Sequence, residues 1–226
     1  MPTRKKTLTF LAGTFTSLAS AILICSILGT KAWVTSTITI NDSISNGRVV
    51  IAYGLFRGRS IQELDGGLAE PDKDFEVLGT LKDSSQKTLL LVIIAFLVLS
   101  LLTSILSFAF TCYNTFSNPY QTFLGPTGVY TWNGLSAVFI LLTMILFVVN
   151  TQPNHLSEEL CQTLYTVVNQ KGATHNYGHS FWLMLLVILL DIVTVVIIIF
   201  YQKSRYQQKQ EEKKPMEYAP RDGILF

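Results

Sequence analysis

Four stretches of this chain run for 21 to 23 residues carrying a single formal charge between them, Asp191, and that pattern excludes most folds at once. They are residues 7–28, 88–110, 129–149 and 180–201. A hydrocarbon core takes roughly 20 residues at ~1.5 Å rise, so each is long enough to cross a bilayer. Backbone groups in lipid must pair within their own segment, which leaves helices as the spanning form. The third run is densest from Leu135 to Val149 and reaches full length only when extended back to about Val129. Charged residues make up 14% of the chain, against about 25% in globular proteins, too few to cover a soluble surface. The expected fold class is therefore all-α membrane, a four-transmembrane-helix bundle whose first partner is the lipid bilayer. The net charge of +2 gives no case for nucleic acid, and three cysteines are too few for a disulfide scaffold.

Arg4, Lys5 and Lys6 before an apolar run would also suit a signal peptide, but the run is long and no clear A-x-A site follows it. It is read as a retained helix. Orientation follows the basic residues near the span ends. The amino tail, 1–6, holds three basic residues and no acid, and the carboxyl tail, 202–226, holds Lys203, Arg205, Lys209, Lys213, Lys214 and Arg221. Segment 29–87 has seven basic and eight acidic residues, and 150–179 has Lys171 alone against Glu158 and Glu159. Both termini are thus expected in the cytosol and both larger segments outside. Segment 111–131, whose end belongs to the third span, becomes the cytosolic turn despite carrying no charge. The Asn41-Asp42-Ser43 sequon falls in the first outer segment, where Asn41 is a glycosylation candidate.

In that segment the composition turns β-branched. Residues 33–40 and 48–53 read as two strands, a hairpin whose connection ends in Asn46-Gly47. It is expected to cap the bundle or to present a partner surface. Gln62 to Ser85 turns acidic and Gly-containing and reads as loop. Within the first span, Gly13, Ser17, Ala21, Cys25 and Gly29 recur every four residues. Small residues at that spacing let a second helix approach closely, either within the chain or between copies.

Asp191 sits near the middle of the last span. A carboxylate there is costly unless it is protonated, hydrogen-bonded or facing water, and hydroxyls are on offer at Ser17, Ser20, Ser100, Thr103 and Thr143. A structural polar contact and an ion pathway are the two readings. His175 and His179 have helical metal-ligand spacing, but Gly172 and Gly178 spoil a helix there, so no metal site is expected. No nucleophile-and-base spacing or phosphate loop occurs, so neither catalytic residues nor a cofactor are expected. Cys112, at the inner end of the second span, is an acylation candidate. Ile224, Leu225 and Phe226 end the chain apolar-x-apolar, which suits capture by a PDZ-type cytosolic scaffold.

Leu28-Gly29-Thr30 with Trp33, then Tyr53-Gly54-Leu55-Phe56-Arg57-Gly58, resemble the first outer loop of the clarins. So do Tyr113-Asn114, Pro119-Tyr120-Gln121-Thr122, Gly125-Pro126-Thr127-Gly128-Val129-Tyr130, Met144-Ile145-Leu146-Phe147, His155-Leu156-Ser157-Glu158 and Ser180-Phe181-Trp182, which resemble later parts of the same family. The likeness covers nearly all the chain outside the tail. It implies a multi-pass, four-span plasma-membrane protein distantly similar to claudins, with a small claudin-like extracellular β-sheet. It also implies a family role in the sensory perception of sound and in membrane–actin organisation. Trp33 with Gly54-Leu55-Phe56 is similar to the claudin Trp…Gly-Leu-Trp signature, with Phe56 in place of the second Trp and no claudin cysteine pair. The expected function is a non-enzymatic organiser of other membrane proteins. The alternatives are an auxiliary subunit of a channel or transporter and a claudin-like adhesion protein.

Overall fold

The computed structural model describes residues 4–41, 46–64, 70–82, 84–116, 125–165 and 170–217. Element order is α1 (Arg4–Gly29), β1 (Val34–Asn41), β2 (Asn46–Tyr53), β3 (Arg57–Leu64), β4 (Glu70–Glu76), α2 (Val77–Thr80), α3 (Ser85–Phe116), α4 (Pro126–Thr151), α5 (Leu156–Tyr165), β5 (Gln170–Tyr177) and α6 (His179–Glu217). Four of these helices, α1, α3, α4 and α6, are long and apolar enough to cross a membrane. They close into a ring in which α1 packs on α3 and α6, and α4 packs on the same two. The chain is a multi-pass membrane protein with a claudin-like tetraspan fold.

The bundle is built inside out relative to a soluble one. Large apolar side chains such as Phe15, Ile22, Val98, Leu102, Val138, Leu141, Leu189 and Ile192 point outward, where lipid would solvate them. Ser17, Ser20, Ser100, Ser104, Ser107, Ser136 and Thr194 are buried between the helices. Lipid tails are as apolar as leucine, so helices gain nothing by hiding leucine from them. They gain by close approach and interhelical hydrogen bonds. Towards the sheet the interior becomes apolar, with Ile24, Ile27, Leu90, Ile93, Leu97 and Phe147 fully buried.

The antiparallel sheet caps that end of the bundle. Among the described residues it has five strands in the order β4-β3-β2-β1-β5, not the two of a hairpin. β3 and β4 occupy part of the segment read as loop. Their charges face solvent and pair across the strands, as Arg48 with Glu63 and Arg59 with Asp74. Exposed pairs of this kind contribute about 0–1 kcal/mol each, so pairing with β2 and the burial of Ser60 and Gly58 fix these strands. The 150–179 segment is likewise not loop throughout: it holds α5 and all of β5, which pairs with β1 across more than a hundred residues of sequence.

The helices also overrun the expected span limits. α3 continues to Phe116 and α4 begins at Pro126, whose fixed φ and missing N–H suit a first helical turn. α6 continues past Tyr201 to Glu217, so most of the polar tail extends the last helix.

Candidate functional site: a polar core beneath an outer sheet

The candidate side chains fall into two groups. One lies between the four long helices, and the other lies where the sheet meets the bundle.

Between the helices, Asp191 is only 2% exposed, so its carboxyl group needs a partner from the protein. Ser20 on α1 donates to Asp191 Oδ1 at 2.9 Å, which ties α1 to α6. Ser136 of α4 lies beside the same carboxyl group, while Oδ2 has no hydrogen-bond partner among the described residues. The other hydroxyls flagged by sequence bond elsewhere. Ser17 shares a 3.2 Å bond with Ser107, which accepts from Asn133 Nδ2 at 2.6 Å, so three helices meet at one hydroxyl. Ser100 and Ser136 join α3 to α4 at 3.1 Å. Thr16 and Thr194 join α1 to α6 at 2.6 Å. Thr103 bonds back to its own helix, and Thr143 is buried without a hydrogen-bond partner among the described residues.

The every-fourth-residue stripe on α1 divides along this interface. Gly13, Ser17 and Ala21 are buried. A methyl group added at Gly13 would meet Thr111 at 3.6 Å, Ile198 at 3.7 Å and Thr194 at 3.8 Å, so the site is close-packed but has room for a small side chain. Cys25 is exposed, and nothing among the described residues lies within 4 Å of a methyl group at Gly29.

Replacement of Asp191 reads out what the carboxylate does. Asparagine keeps an acceptor for Ser20 in the same shape. Intramembrane hydrogen bonds are worth about 0.6–2 kcal/mol, so Asp191→Asn is expected at near wild-type surface level and Asp191→Leu modestly below it. Surface biotinylation measures both. Loss of a protein-dependent current in Asp191→Asn at normal surface abundance would instead assign the carboxylate to an ion path.

At the sheet end, Trp33 is fully buried and donates through Nε1 to the Ile27 carbonyl at 2.9 Å. That carbonyl lies in the last turn of α1, where the helix has no amide left to satisfy it. Thr30 Oγ1 donates to the same oxygen at 3.2 Å. The strands on either side of β1 both end in a Tyr-Gly dipeptide, Tyr53-Gly54 on β2 and Tyr177-Gly178 on β5, and both tyrosines pair with Val34. Gly54 lies against the Thr30 carbonyl and Gly178 against the Ala32 carbonyl, so the linker from α1 to β1 runs between two glycines. Trp33 N donates to Tyr53 O at 3.2 Å and Gly178 N donates to Trp33 O at 2.8 Å, which closes the clamp on both sides. Of the Gly54-Leu55-Phe56 motif, Leu55 is buried and Phe56 is exposed.

A second polar network pins α5 to the sheet. The hydroxyls of Tyr53 and Ser36 each lie 2.7 Å from Ser157 Oγ, and Ser36 Oγ lies 2.8 Å from His175 Nδ1. Burial raises the Tyr53 phenol far above its ordinary pKa, so it stays neutral and works as a hydrogen-bonding group. Burial, then the nearby Glu158, pushes Cys161 up to about 11, which leaves a thiol with little nucleophilic character. His175 belongs to β5 and His179 opens α6, so the helical spacing of the two is not realised. Among the described residues no three His, Cys, Asp or Glu side chains group as metal ligands.

The remaining candidates have these positions. Asn41 closes β1, and Asp42 and Ser43 of its sequon lie outside the described residues. Cys112 is half-buried on α3, at the end far from the sheet. Ile224, Leu225 and Phe226 lie outside the described residues. The clamp and the Ser157–His175 network were not anticipated, although the repeated Tyr-Gly dipeptide was a visible signal for the first.

Comparison with known proteins gives one family. A family model described as Clarin-2-like matches residues 4–198. The chain is 71% identical to Clarin-3 of Homo sapiens over 226 residues, all of both chains, and 67% identical to Clarin-3 of Rattus norvegicus over the same span. It is 27% identical to Clarin-1 of Homo sapiens over 195 residues, 81% of this chain and 83% of that one.

Proposed function

We propose, since this chain belongs to the clarin family, that it is a non-enzymatic organiser of other membrane proteins at the plasma membrane. In this reading both termini face the cytosol and the sheet faces outward, where Asn41 carries a glycan. The sheet meets membrane partners, and the carboxyl-terminal Ile224, Leu225 and Phe226 meet a cytosolic scaffold. Actin organisation and hearing enter as roles the family resemblance suggests.

The observation that carries the reading is the way the bundle spends its polar groups. Ser17, Ser20, Ser100, Ser107, Asn133 and Ser136 bond from helix to helix, which supports a rigid frame over a conduit. The clamp at Gly54 and Gly178 then transmits that rigidity to the sheet. A channel auxiliary subunit remains the rival, because Asp191 is a buried acid near mid-span.

Affinity capture of the tagged chain from native membrane tests the proposal. Membrane receptors or adhesion proteins with cytoskeletal scaffolds are expected in the catch, and the scaffolds are expected to be lost when the last three residues are removed. A catch dominated by pore-forming channel subunits overturns it. An amino-terminal tag stained on intact, unpermeabilised cells overturns the orientation.

A further inference from the structure

At the end of the bundle away from the sheet, a cavity of ≈ 600 Å³ opens between the start of α4 and the α6 segment just past the apolar span. Its lining combines Pro126 and Ile199 with Gln202, Lys203, Arg205 and Tyr206. Two cations and the amide and phenol donors thus converge on one opening, and no acidic side chain among the described residues lines it. The sequence extends that bias, since no acid lies between Asp191 and Glu211 and none precedes Asp42. Lys203 and Arg205 bring two like charges to this opening. Like charges brought together at a membrane boundary are stabilised by an anion placed between or beside them.

The surroundings hold this cavity in shape. Tyr130 on α4 donates to Gln202 Oε1 at 2.9 Å, which pins the α6 wall to α4. Tyr201 packs edge-on against Phe10, with ring centres 5.5 Å apart, and so fixes the same turn to α1. Tyr201 and Tyr206 also line the cavity, and such aromatic side chains are enriched where hydrocarbon meets headgroups. The lining is part apolar and part basic, the complement of a phospholipid whose acyl chains stay in the bilayer while its headgroup turns inward.

We propose that this cavity binds the phosphate-bearing headgroup of an anionic inner-leaflet lipid, with Lys203 and Arg205 as the anion contacts and Gln202 and Tyr206 as hydrogen-bond donors. Arg205 supplies a planar fork for two phosphate oxygens, and Lys203 supplies a point charge. The proposal rests on the orientation given above, which turns this end of the bundle to the cytosol.

Binding of a fluorescent short-chain phosphatidylinositol 4,5-bisphosphate to the full-length protein in neutral detergent tests the site. Both sides of the protein are open there, so failure refutes the cavity and not the orientation, which the amino-terminal tag reads separately. Saturable binding is expected, with Lys203→Gln/Arg205→Gln weaker by about 30-fold, from two basic contacts of roughly fivefold each. Lys213→Gln/Lys214→Gln removes the same charge farther along α6 and is expected to leave binding within twofold. If the first double variant elutes aggregated, Arg205→Lys, which keeps the charge and loses the fork, is expected to weaken binding several-fold. Equal losses in the two double variants, or no loss in the first, overturn the proposal. Displacement of the lipid by millimolar inorganic phosphate would identify free phosphate as the ligand and overturn the lipid assignment.

Discussion

Gly54→Ala is expected to trap the protein early in secretion, with surface levels near background in a biotinylation assay. The added methyl group has no space. It would collide with the Thr30 carbonyl oxygen and lie 3.1 Å from Lys31 Cα, and both are backbone atoms that no side-chain rotation can move aside. Nor can the backbone withdraw at either end. Tyr53 O accepts from Trp33 N at 3.2 Å, and Gly54 N donates to Arg57 O at 3.0 Å. Overpacking a tight site costs typically 1–3 kcal/mol where side chains can yield, so a backbone collision belongs at or above about 3 kcal/mol. A protein with about 5–15 kcal/mol of stability loses a large share of it. Gly29→Ala and Gly134→Ala are the controls. Both glycines are helical with nothing among the described residues within 4 Å of the new methyl group, so alanine is expected to be neutral or to stabilise by about 0.5–1 kcal/mol. Wild-type surface levels for Gly54→Ala would show that the linker moves freely and that no clamp exists.

The same clamp shows where sequence stops being informative. The four spans were legible because length and lack of charge are local properties of the chain. The first two strands were legible because Val, Ile and Thr crowd them. Strand β4, Glu-Pro-Asp-Lys-Asp-Phe-Glu, has no β-branched residue, and it is a strand because β3 lies beside it. Arg59, by its hydrogen bond, and then Lys31 hold Asp74 below the ordinary carboxylate range, a contact that exists only once the strands have paired. Strand β5 hides its alternation behind a register shift opposite Thr39 and Ile40, where Gly172 adopts a positive φ of 149°. Past the shift Ala173, His175 and Tyr177 are less exposed than their neighbours Thr174 and Asn176, the alternation of a half-buried strand.

The candidate site divides the same way. Asp191 was conspicuous as the lone charge in a span, but of the five hydroxyls available to it by sequence only Ser20 bonds to it. Choosing among them needs the rotation and depth of each helix, which neither charge nor periodicity encodes. Tyr177-Gly178 could not be paired with Tyr53-Gly54 until β5 was known to flank β1.

Trp33→Ala is expected to be as damaging as the glycine change, by loss of contacts in place of a clash. The indole is fully buried and lies 4.9 Å centre to centre from Phe147, whose ring in turn meets Tyr177 and Phe181. Truncating a buried aromatic to alanine costs about 3–5 kcal/mol, part of it the cavity left behind. One hydrogen bond to the end of α1 goes with it, worth about 0.5–1.5 kcal/mol net. Trp33→Phe separates the two losses. Phenylalanine keeps much of the packing against Phe147, and the Ile27 carbonyl still accepts from Thr30, so the phenylalanine variant is expected at roughly half the wild-type surface level or better. Thermal unfolding in detergent should then order the proteins as wild type, Trp33→Phe and Trp33→Ala. If phenylalanine proved as harmful as alanine, the indole N–H at the end of α1 would outweigh the ring, and Trp33 would act chiefly as the cap of the first helix. If alanine proved harmless, the sheet would owe nothing to this contact, and a frame that carries bundle rigidity outward would lose its physical basis.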